Sequence, residues 1–193
     1  MATPRRRLTP DDWAEAALAA IAEGGLAAVA VEPLAAQLGT TKGSFYWHFA
    51  NRAALLDAAL ARWEKQTTTM VIGEIVEATD EPVSQLRRLI VRVISLAERD
   101  QVEPALQASA AHPAVARALD RVTRARIGLI ETVFTRLGFP LAEARSRALL
   151  AYSAYLGHAQ LAHSTPQLLP ATADERRAYL DQVLAALTRP SGT

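Results

Sequence analysis

The sequence predicts an all-α protein built from two helical domains. Apolar residues recur every three or four positions through most of the 193 residues, which is the period of one face of an α-helix. This pattern is interrupted at Gly24-Gly25, at Asp80-Glu81-Pro82 and at Gly138-Phe139-Pro140, where glycine and proline break helices. No segment alternates convincingly as a strand does, and the sequence has no internal repeat. We therefore expect a series of amphipathic helices joined by short turns.

Composition narrows the class of protein. Half of the residues are hydrophobic and the net charge is only +1. The absence of cysteine excludes disulfides, thiolate metal sites and a cysteine nucleophile, and it fits a reducing cytosol. No apolar run approaches the ~18 residues of a membrane span, and no apolar segment follows Arg5-Arg6-Arg7 as it would in a signal peptide. We expect a cytoplasmic protein with no membrane partner.

The first helix has a strong start signal at Thr9 to Asp12. Thr9 can cap the helix, Pro10 fits the first turn, and two aspartates interact favourably with the positive end of the helix dipole. The second helix is predicted to begin near Val31, with Ala30 at its cap position. Because alanine offers no hydroxyl, this cap should be weaker by about 1 kcal/mol.

Residues 34–49 predict a helix, a tight turn and a second helix. Gly39 can take the left-handed conformation that ends a helix, and Thr41 can cap the helix that follows. Phe45 and Phe49 are four residues apart, so they share a face that should point inward.

The other face of this second helix carries residues unsuited to a core. Taken singly, each aromatic residue on it could be an ordinary surface or core side chain. Together, on one short helix after a tight turn, they favour a recognition helix, because a DNA major groove accepts a single helix. The candidates are a cation, a glycine, a hydroxyl, two amphipathic aromatics and a histidine: Lys42, Gly43, Ser44, Tyr46, Trp47 and His48.

These residues carry a family resemblance. Leu38-Gly39, the run from Thr41 to Phe49 and the run from Asn51 to Leu56 are similar to the TetR (tetracycline-repressor-like) family of bacterial regulators. The resemblance covers roughly residues 8–60. It implies an N-terminal helix-turn-helix DNA-binding domain of three helices, followed by a C-terminal helical domain for ligand binding and dimerisation. We expect a basic arm at residues 1–8 and domains at residues 9–64 and 65–193.

The resemblance also implies roles for individual residues. Those matching Thr41, Tyr46 and His48 hold phosphates in the family, and those matching Lys42, Gly43, Ser44 and Trp47 face bases. A basic residue matching Arg52 contacts a phosphate. That role fits the position, since a cation in a first helical turn opposes the dipole and has no evident local use.

The net charge of the N-terminal part does not favour DNA binding, and only the local placement of its basic residues does. Residues 1–56 hold five basic and five acidic residues, so this part of the chain is neutral. Arg5, Arg6 and Arg7 could reach a minor groove or phosphates, as basic arms do. They could equally form a solvated terminus, and the sequence leaves both possibilities open.

The two long C-terminal helices, predicted at Leu141–His163 and Ala173–Thr188, have wide apolar faces rich in alanine, with Gly157 among them. Two such helices from each of two chains could form a four-helix bundle, or they could complete a monomer core. The resemblance implies a homodimer. Two recognition helices one DNA turn apart would then read a palindromic operator in double-stranded DNA.

The resemblance further implies that the C-terminal helices enclose a pocket for a small-molecule effector. Each candidate could also be an ordinary core residue. Their mixture suggests a mostly apolar ligand with one or two hydrogen bonds, although its identity stays open. The candidates are Trp63, Met70, Gln107, Phe134, Tyr152, Tyr155 and His158.

An enzyme is not expected. His158 and His163 are five residues apart, about 140° around a helix, so they do not share a metal-binding face. The sequence also lacks the zinc-protease, nucleophile-elbow and phosphate-loop motifs. We expect no metal or other cofactor. The favoured interpretation is a repressor released by an effector, and the alternative is a DNA-anchored scaffold or a ligand-independent regulator.

Overall fold

The computed structural model describes residues 7–78 and 81–189. Over these residues the regular structure is helical throughout, without a strand, which confirms the predicted all-α class. In chain order the α-helices are α1 Pro10–Gly24, α2 Val31–Gln37, α3 Lys42–Tyr46, α4 Arg52–Glu64, α5 Met70–Glu77, α6 Pro82–Ala97, α7 Val102–Ala108, α8 Pro113–Arg136, α9 Leu141–Ser164 and α10 Ala173–Thr188. Within the described residues, none of these helices has both the length and the apolar character needed to cross a membrane.

The described chain forms two compact units. The first unit contains residues 7–67 and 101–121, and the second contains residues 68–78, 81–100 and 122–189. The sequence pattern assigned residues 101–121 to the second domain. They join the first unit because α7 packs against α1, a tertiary contact that a local pattern does not reveal.

The first unit is built on the pairing of α1 with α4. The helix α1 begins with the predicted cap. The Thr9 hydroxyl accepts a bond from the Asp12 N–H at 3.3 Å, and the Asp12 carboxylate accepts one from the Thr9 N–H at 2.7 Å. Trp13 and Ile21 on the inner face of α1 are fully buried.

The turn between α2 and α3 has the predicted geometry. Gly39 has a φ of 63°, which lies in the left-handed region that favours glycine. The Gly39 N–H donates to the Ala36 carbonyl at 3.0 Å and the Thr40 N–H to the Ala35 carbonyl at 2.8 Å, so these two carbonyls at the end of α2 are satisfied. Thr41 occupies the cap position of α3, but its hydroxyl makes no capping bond.

Caps differ between the next helices. The Asn51 Oδ1 accepts a bond from the Ala54 N–H at 2.9 Å, so α4 has a side-chain cap. At the start of α2, Ala30 provides no side-chain bond. Between α4 and α5, Lys65–Thr69 forms a π-helical turn.

The second unit has two hydrophobic clusters. The larger one joins α6, α8, α9 and α10 around Phe134, which is fully buried. The smaller one packs α5 against α6 through Val71, Ile75 and Leu89. The last helix starts with a capping box, in which the Thr172 hydroxyl accepts a bond from the Glu175 N–H.

Candidate nucleic-acid interface

The inner face of α3 fixes this short helix to the first unit. Phe45 is fully buried and meets Trp13 edge to face, with 5.4 Å between ring centroids. Phe45 also stacks on Phe49 at 5.7 Å, and Phe49 is buried as predicted. Because these rings lock the helix in place, the side chains on its other face are held on a rigid support.

The outer face of α3 is open. Trp47 is 89% exposed, Tyr46 is also exposed, and Thr41, Lys42 and Gly43 share this accessibility. The helix is shorter than the predicted segment, which ran to Phe49, since α3 ends at Tyr46 and Trp47 is its C-terminal cap. An indole this exposed beside a packed aromatic core is available to a partner.

A cleft of about 520 Å³ opens beside Trp47. Ser44 and His48 contribute to its wall together with Arg7, the described end of the predicted basic arm. Arg5 and Arg6 lie outside the described residues. The cleft therefore brings one arm residue and part of the recognition helix to a common surface.

Lys42 has an acidic neighbour that the sequence pattern does not predict. Its Nζ lies 2.6 Å from Oε1 of Glu32 in α2. This hydrogen bond raises the pKa of Lys42 and lowers the pKa of Glu32, so both groups are charged near neutral pH. The residues are ten positions apart across the turn, a separation at which sequence periodicity gives no signal.

Arg52 also has local partners, which its position in the first turn of α4 did not indicate. Its Nε donates to the Val29 carbonyl at 2.6 Å, and its Nη2 donates to the Leu26 carbonyl. These carbonyls belong to the loop between α1 and α2. Arg52 therefore ties that loop to α4, and any phosphate contact must coexist with or replace these bonds.

Sequence comparison adds a decisive observation to this geometry. Residues 14–59, which run from α1 to α4 and include the whole turn between α2 and α3, match the family described as bacterial regulatory proteins, tetR family. This segment is therefore similar to the N-terminal domain of the tetR family. No curated protein sequence matches it.

Solved structures share the fold of this chain. A transcriptional regulator from Rhodococcus sp. Rha1 has a TM-score of 0.74 at 22% identity, over 94% of each chain. SmeT, the repressor of the Stenotrophomonas maltophilia multidrug efflux pump SmeDEF, has a TM-score of 0.68 at 24% identity, over 94% of this chain and 91% of its own. SmeT in complex with triclosan gives 0.72 at 24% identity, over 92% and 90% of the two chains.

The seven candidate effector residues do not share one environment. Trp63 is buried and Gln107 is exposed, and both belong to the first unit. In the second unit Met70 is exposed, and Phe134 packs in the larger hydrophobic cluster. Apolar character alone could not distinguish such core and surface positions from a ligand-binding wall.

Two of the remaining candidates form part of a polar group, which we call the tyrosine cluster: Thr68, Thr123, Arg126, Tyr152 and Tyr155. The two tyrosine rings stack with 5.9 Å between centroids. The Tyr152 and Thr123 hydroxyls are 3.2 Å apart. The Arg126 Nε donates to the Thr68 hydroxyl at 3.0 Å, and its Nη1 donates to the Tyr155 hydroxyl at 3.5 Å.

His158, the last candidate, is buried further along α9. Its ring stacks on Tyr179 at 5.9 Å, and its Nε2 lies 3.6 Å from Oε1 of Glu98, which also pairs with Arg176. Neither ring nitrogen of His158 has a hydrogen-bond partner among the described residues. Burial lowers the pKa of His158 although Glu98 opposes this shift, so the neutral imidazole is favoured.

The described residues contain no group of three histidine, aspartate or glutamate side chains that could hold a metal ion.

Proposed function

We propose that this chain is a transcriptional repressor that binds a palindromic operator as a homodimer and is released by a small-molecule effector. The observation that carries the DNA-binding part is the open outer face of α3. Trp47, the C-terminal cap of α3, is 89% exposed, and Phe45 anchors the helix in the core. A rigid helix with an accessible indole, hydroxyl and cation fits the major groove of DNA.

Gly43 supports a close approach of DNA to α3. A Cβ added at Gly43 would lie 3.6 Å from the Thr41 hydroxyl, which is an ordinary contact. Packing within the unit therefore does not require glycine there. The absence of a side chain instead leaves room for the DNA, and Ser44 and Trp47 beside it would read base edges, with the indole suited to a thymine methyl.

The phosphate contacts fall to Thr41, Tyr46 and His48, with Arg52 contributing if it exchanges a carbonyl partner. Since residues 1–56 are neutral overall, few phosphates can be neutralised. Non-specific affinity scales with that number, so we expect weak binding to random DNA.

The exposed face of α9 supports a homodimer. Leu149, Leu150 and Leu161 are exposed on it. Small residues lie between these leucines, and a Cβ added at Gly157 would have no atom within 4 Å. A face of exposed leucines and small residues on a long helix suits helix packing across a two-fold axis.

The dimer proposal is tested by sedimentation equilibrium of the double variant Leu149→Glu/Leu150→Glu. Two buried charges would break an apolar interface, so we expect a monomer where the wild type is a dimer. Leu168→Glu is the control, because Leu168 is also an exposed leucine but lies between α9 and α10, outside the proposed interface. A monomeric wild type would refute the dimer, and a dimeric double variant would refute this interface.

The effector part is supported by the tyrosine cluster and by His158. Stacked rings, hydroxyls and an imidazole with no hydrogen-bond partner suit a mostly apolar ligand with a few polar groups. SmeT, which shares the fold, forms a complex with triclosan. Release would follow if the ligand binds more tightly to the conformation that fits DNA poorly.

DNA binding is tested by selection from a random-sequence duplex library with the full-length chain. We expect enrichment of an inverted repeat with half-site centres about 10 base pairs apart. Trp47→Ala should enrich nothing from the same library. If the wild type also enriches no sequence, the proposed function is wrong.

The effector is tested by adding triclosan to the complex of the chain with its selected duplex, followed by fluorescence anisotropy. Release that is weakened in His158→Phe would support a ligand held near His158. If triclosan and a panel of other phenols leave the complex intact, a ligand-independent regulator is the better account.

A further inference from the structure

The ion pair between Glu32 and Lys42 joins the two helices of the helix-turn-helix. Glu32 lies in the first turn of α2 and Lys42 is the first residue of α3. Their side chains are 65% and 54% exposed, and the 2.6 Å separation is a direct hydrogen bond. The pair therefore stands on the open side of the motif and can meet a bound partner.

This bond leaves part of the lysine available. An ammonium group has three N–H donors and no acceptor, and Glu32 takes one of them. The bond also orients a flexible four-carbon stem that would otherwise sample many rotamers. The result is a charged group with two donors held at a defined place on α3.

We propose that Glu32 is a positioning residue that determines specificity by directing Lys42 to base edges rather than to phosphates. This inference rests on the DNA-binding function proposed above. Guanine presents two neighbouring acceptors, O6 and N7, in the major groove, and they match the two remaining donors of Lys42. Because the carboxylate neutralises the ammonium, the pair has little attraction for a phosphate, whose position carries no sequence information.

Two simpler roles for Glu32 make different predictions. If Glu32 only competed with DNA for Lys42, removing its charge would strengthen binding to all duplexes by the same factor. If it only repelled phosphates, the effect of its removal would not depend on Lys42. If Glu32 positions Lys42, removing the Glu32 charge lowers the specificity for the operator. In a variant without Lys42, removing that charge has no effect on DNA binding.

The test compares Glu32→Gln with the full-length wild type on two duplexes at two salt concentrations. One duplex is the operator that the wild type selects from a random library, and the other is its scrambled sequence. We expect the affinity for scrambled DNA to rise about five- to tenfold near 0.1 M salt, because a freed lysine neutralises about one more phosphate. The slope of log K against log salt should steepen by about 1 on this duplex.

In Glu32→Gln the affinity for the operator should change by less than about twofold. Lys42 gains attraction for phosphates when its charge is no longer neutralised, but it loses its fixed orientation towards the bases, and the two changes offset each other. The ratio of operator to scrambled affinity then falls about 2.5-fold or more. In the Lys42→Gln background the same change at Glu32 should alter neither affinity by more than about twofold. Glu23→Gln removes the same charge from the exposed end of α1 and should leave the ratio unchanged.

Equal rises on both duplexes, or no change on either, would overturn the positioning role. So would an undiminished effect in the Lys42→Gln background. A wild type that selects no operator would instead refute the proposed function, so the two failures are distinguishable. Circular dichroism of each variant verifies that the fold is intact.

Discussion

The outer face of α3 and the tyrosine cluster both gather aromatic and polar side chains, but their exposure is opposite. Trp47 is 89% exposed, whereas Tyr152 is only 7% exposed and its hydroxyl is already 3.2 Å from that of Thr123. A DNA duplex can therefore reach α3 without rearrangement of the protein. A ligand at the tyrosine cluster must replace existing hydrogen bonds, so binding there is coupled to a change in the second unit.

Buried and exposed aromatic residues also lie side by side at α3, and replacing the buried one should give the largest change in stability. Phe45→Ala removes a fully buried ring that packs on Trp13 and Phe49, so we expect a loss of about 3–5 kcal/mol in the free energy of unfolding. Trp47→Ala should change stability by less than about 0.5 kcal/mol, since the indole is exposed. Urea unfolding followed by tryptophan fluorescence measures both, because Trp13 and Trp63 remain buried in the first unit.

Trp47→Ala should nevertheless abolish selection of DNA, which separates support from recognition. If instead Trp47→Ala destabilised the first unit as much as Phe45→Ala, the indole would be a packing residue and the contrast between the two faces would be lost.

The next effects divide the outer face into phosphate and base contacts. Tyr46→Ala should weaken binding to operator and scrambled DNA alike, since phosphate contacts carry no sequence information. Ser44→Ala should shift preference among operator variants by about 1–3 kcal/mol at one base pair. Anisotropy titrations against a set of single-base variants measure both, and full specific binding by both variants would refute the recognition-helix assignment.

Changes at the caps of α2 and α4, the helices on either side of α3, should alter the stability of the first unit by smaller amounts. Asn51→Ala removes the bond to the Ala54 N–H and should lower the stability of the first unit by about 1 kcal/mol. Ala30→Ser supplies the cap that α2 lacks and should raise it by up to about 1 kcal/mol. Tryptophan fluorescence during urea unfolding measures both shifts, and an unchanged midpoint for Asn51→Ala would show that the capping bond contributes nothing.

The smallest expected effect is the contribution of the buried His158 to the pH dependence of stability. Because burial lowers the pKa of His158, the unfolded chain binds more protons than the folded one just below the ordinary histidine pKa. Stability contributed by the neutral ring is thus full above about pH 6.5 and is lost as the pH falls. We expect the wild type to lose more stability than His158→Gln between about pH 7.5 and about pH 5.5.

Urea unfolding followed by circular dichroism measures this difference. His112→Gln serves as the control, since His112 is an exposed histidine. Equal pH dependence in the wild type and His158→Gln would mean that burial of this imidazole has no energetic consequence.

Local chemistry predicted much of the first unit from sequence. The Thr9 cap, the left-handed Gly39 and the inward Phe45 all depend on neighbouring residues, and the structure confirms them. The bonds of Arg52 to the loop before α2 could not be predicted, because they join positions more than twenty residues apart.

Other features that the sequence did not predict also depend on contacts between distant parts of the chain. The Glu32–Lys42 pair forms only because the turn at Gly39 brings α2 and α3 together. Phe134 and Tyr152 have similar apolar surroundings in sequence, yet one packs in the larger hydrophobic cluster and the other joins the tyrosine cluster. Helical periodicity identifies an inward face but not what that face meets.

The most direct test of the account is a fluorescence-anisotropy titration of the full-length chain against the DNA flanking its own gene, beside the scrambled sequence, at two salt concentrations. If the outer face of α3 reads sequence, binding to the flanking DNA is tight and persists at the higher salt, while binding to the scrambled duplex is weak and is lost. Equal and weak binding to both duplexes, abolished by salt, would contradict specific recognition by this helix.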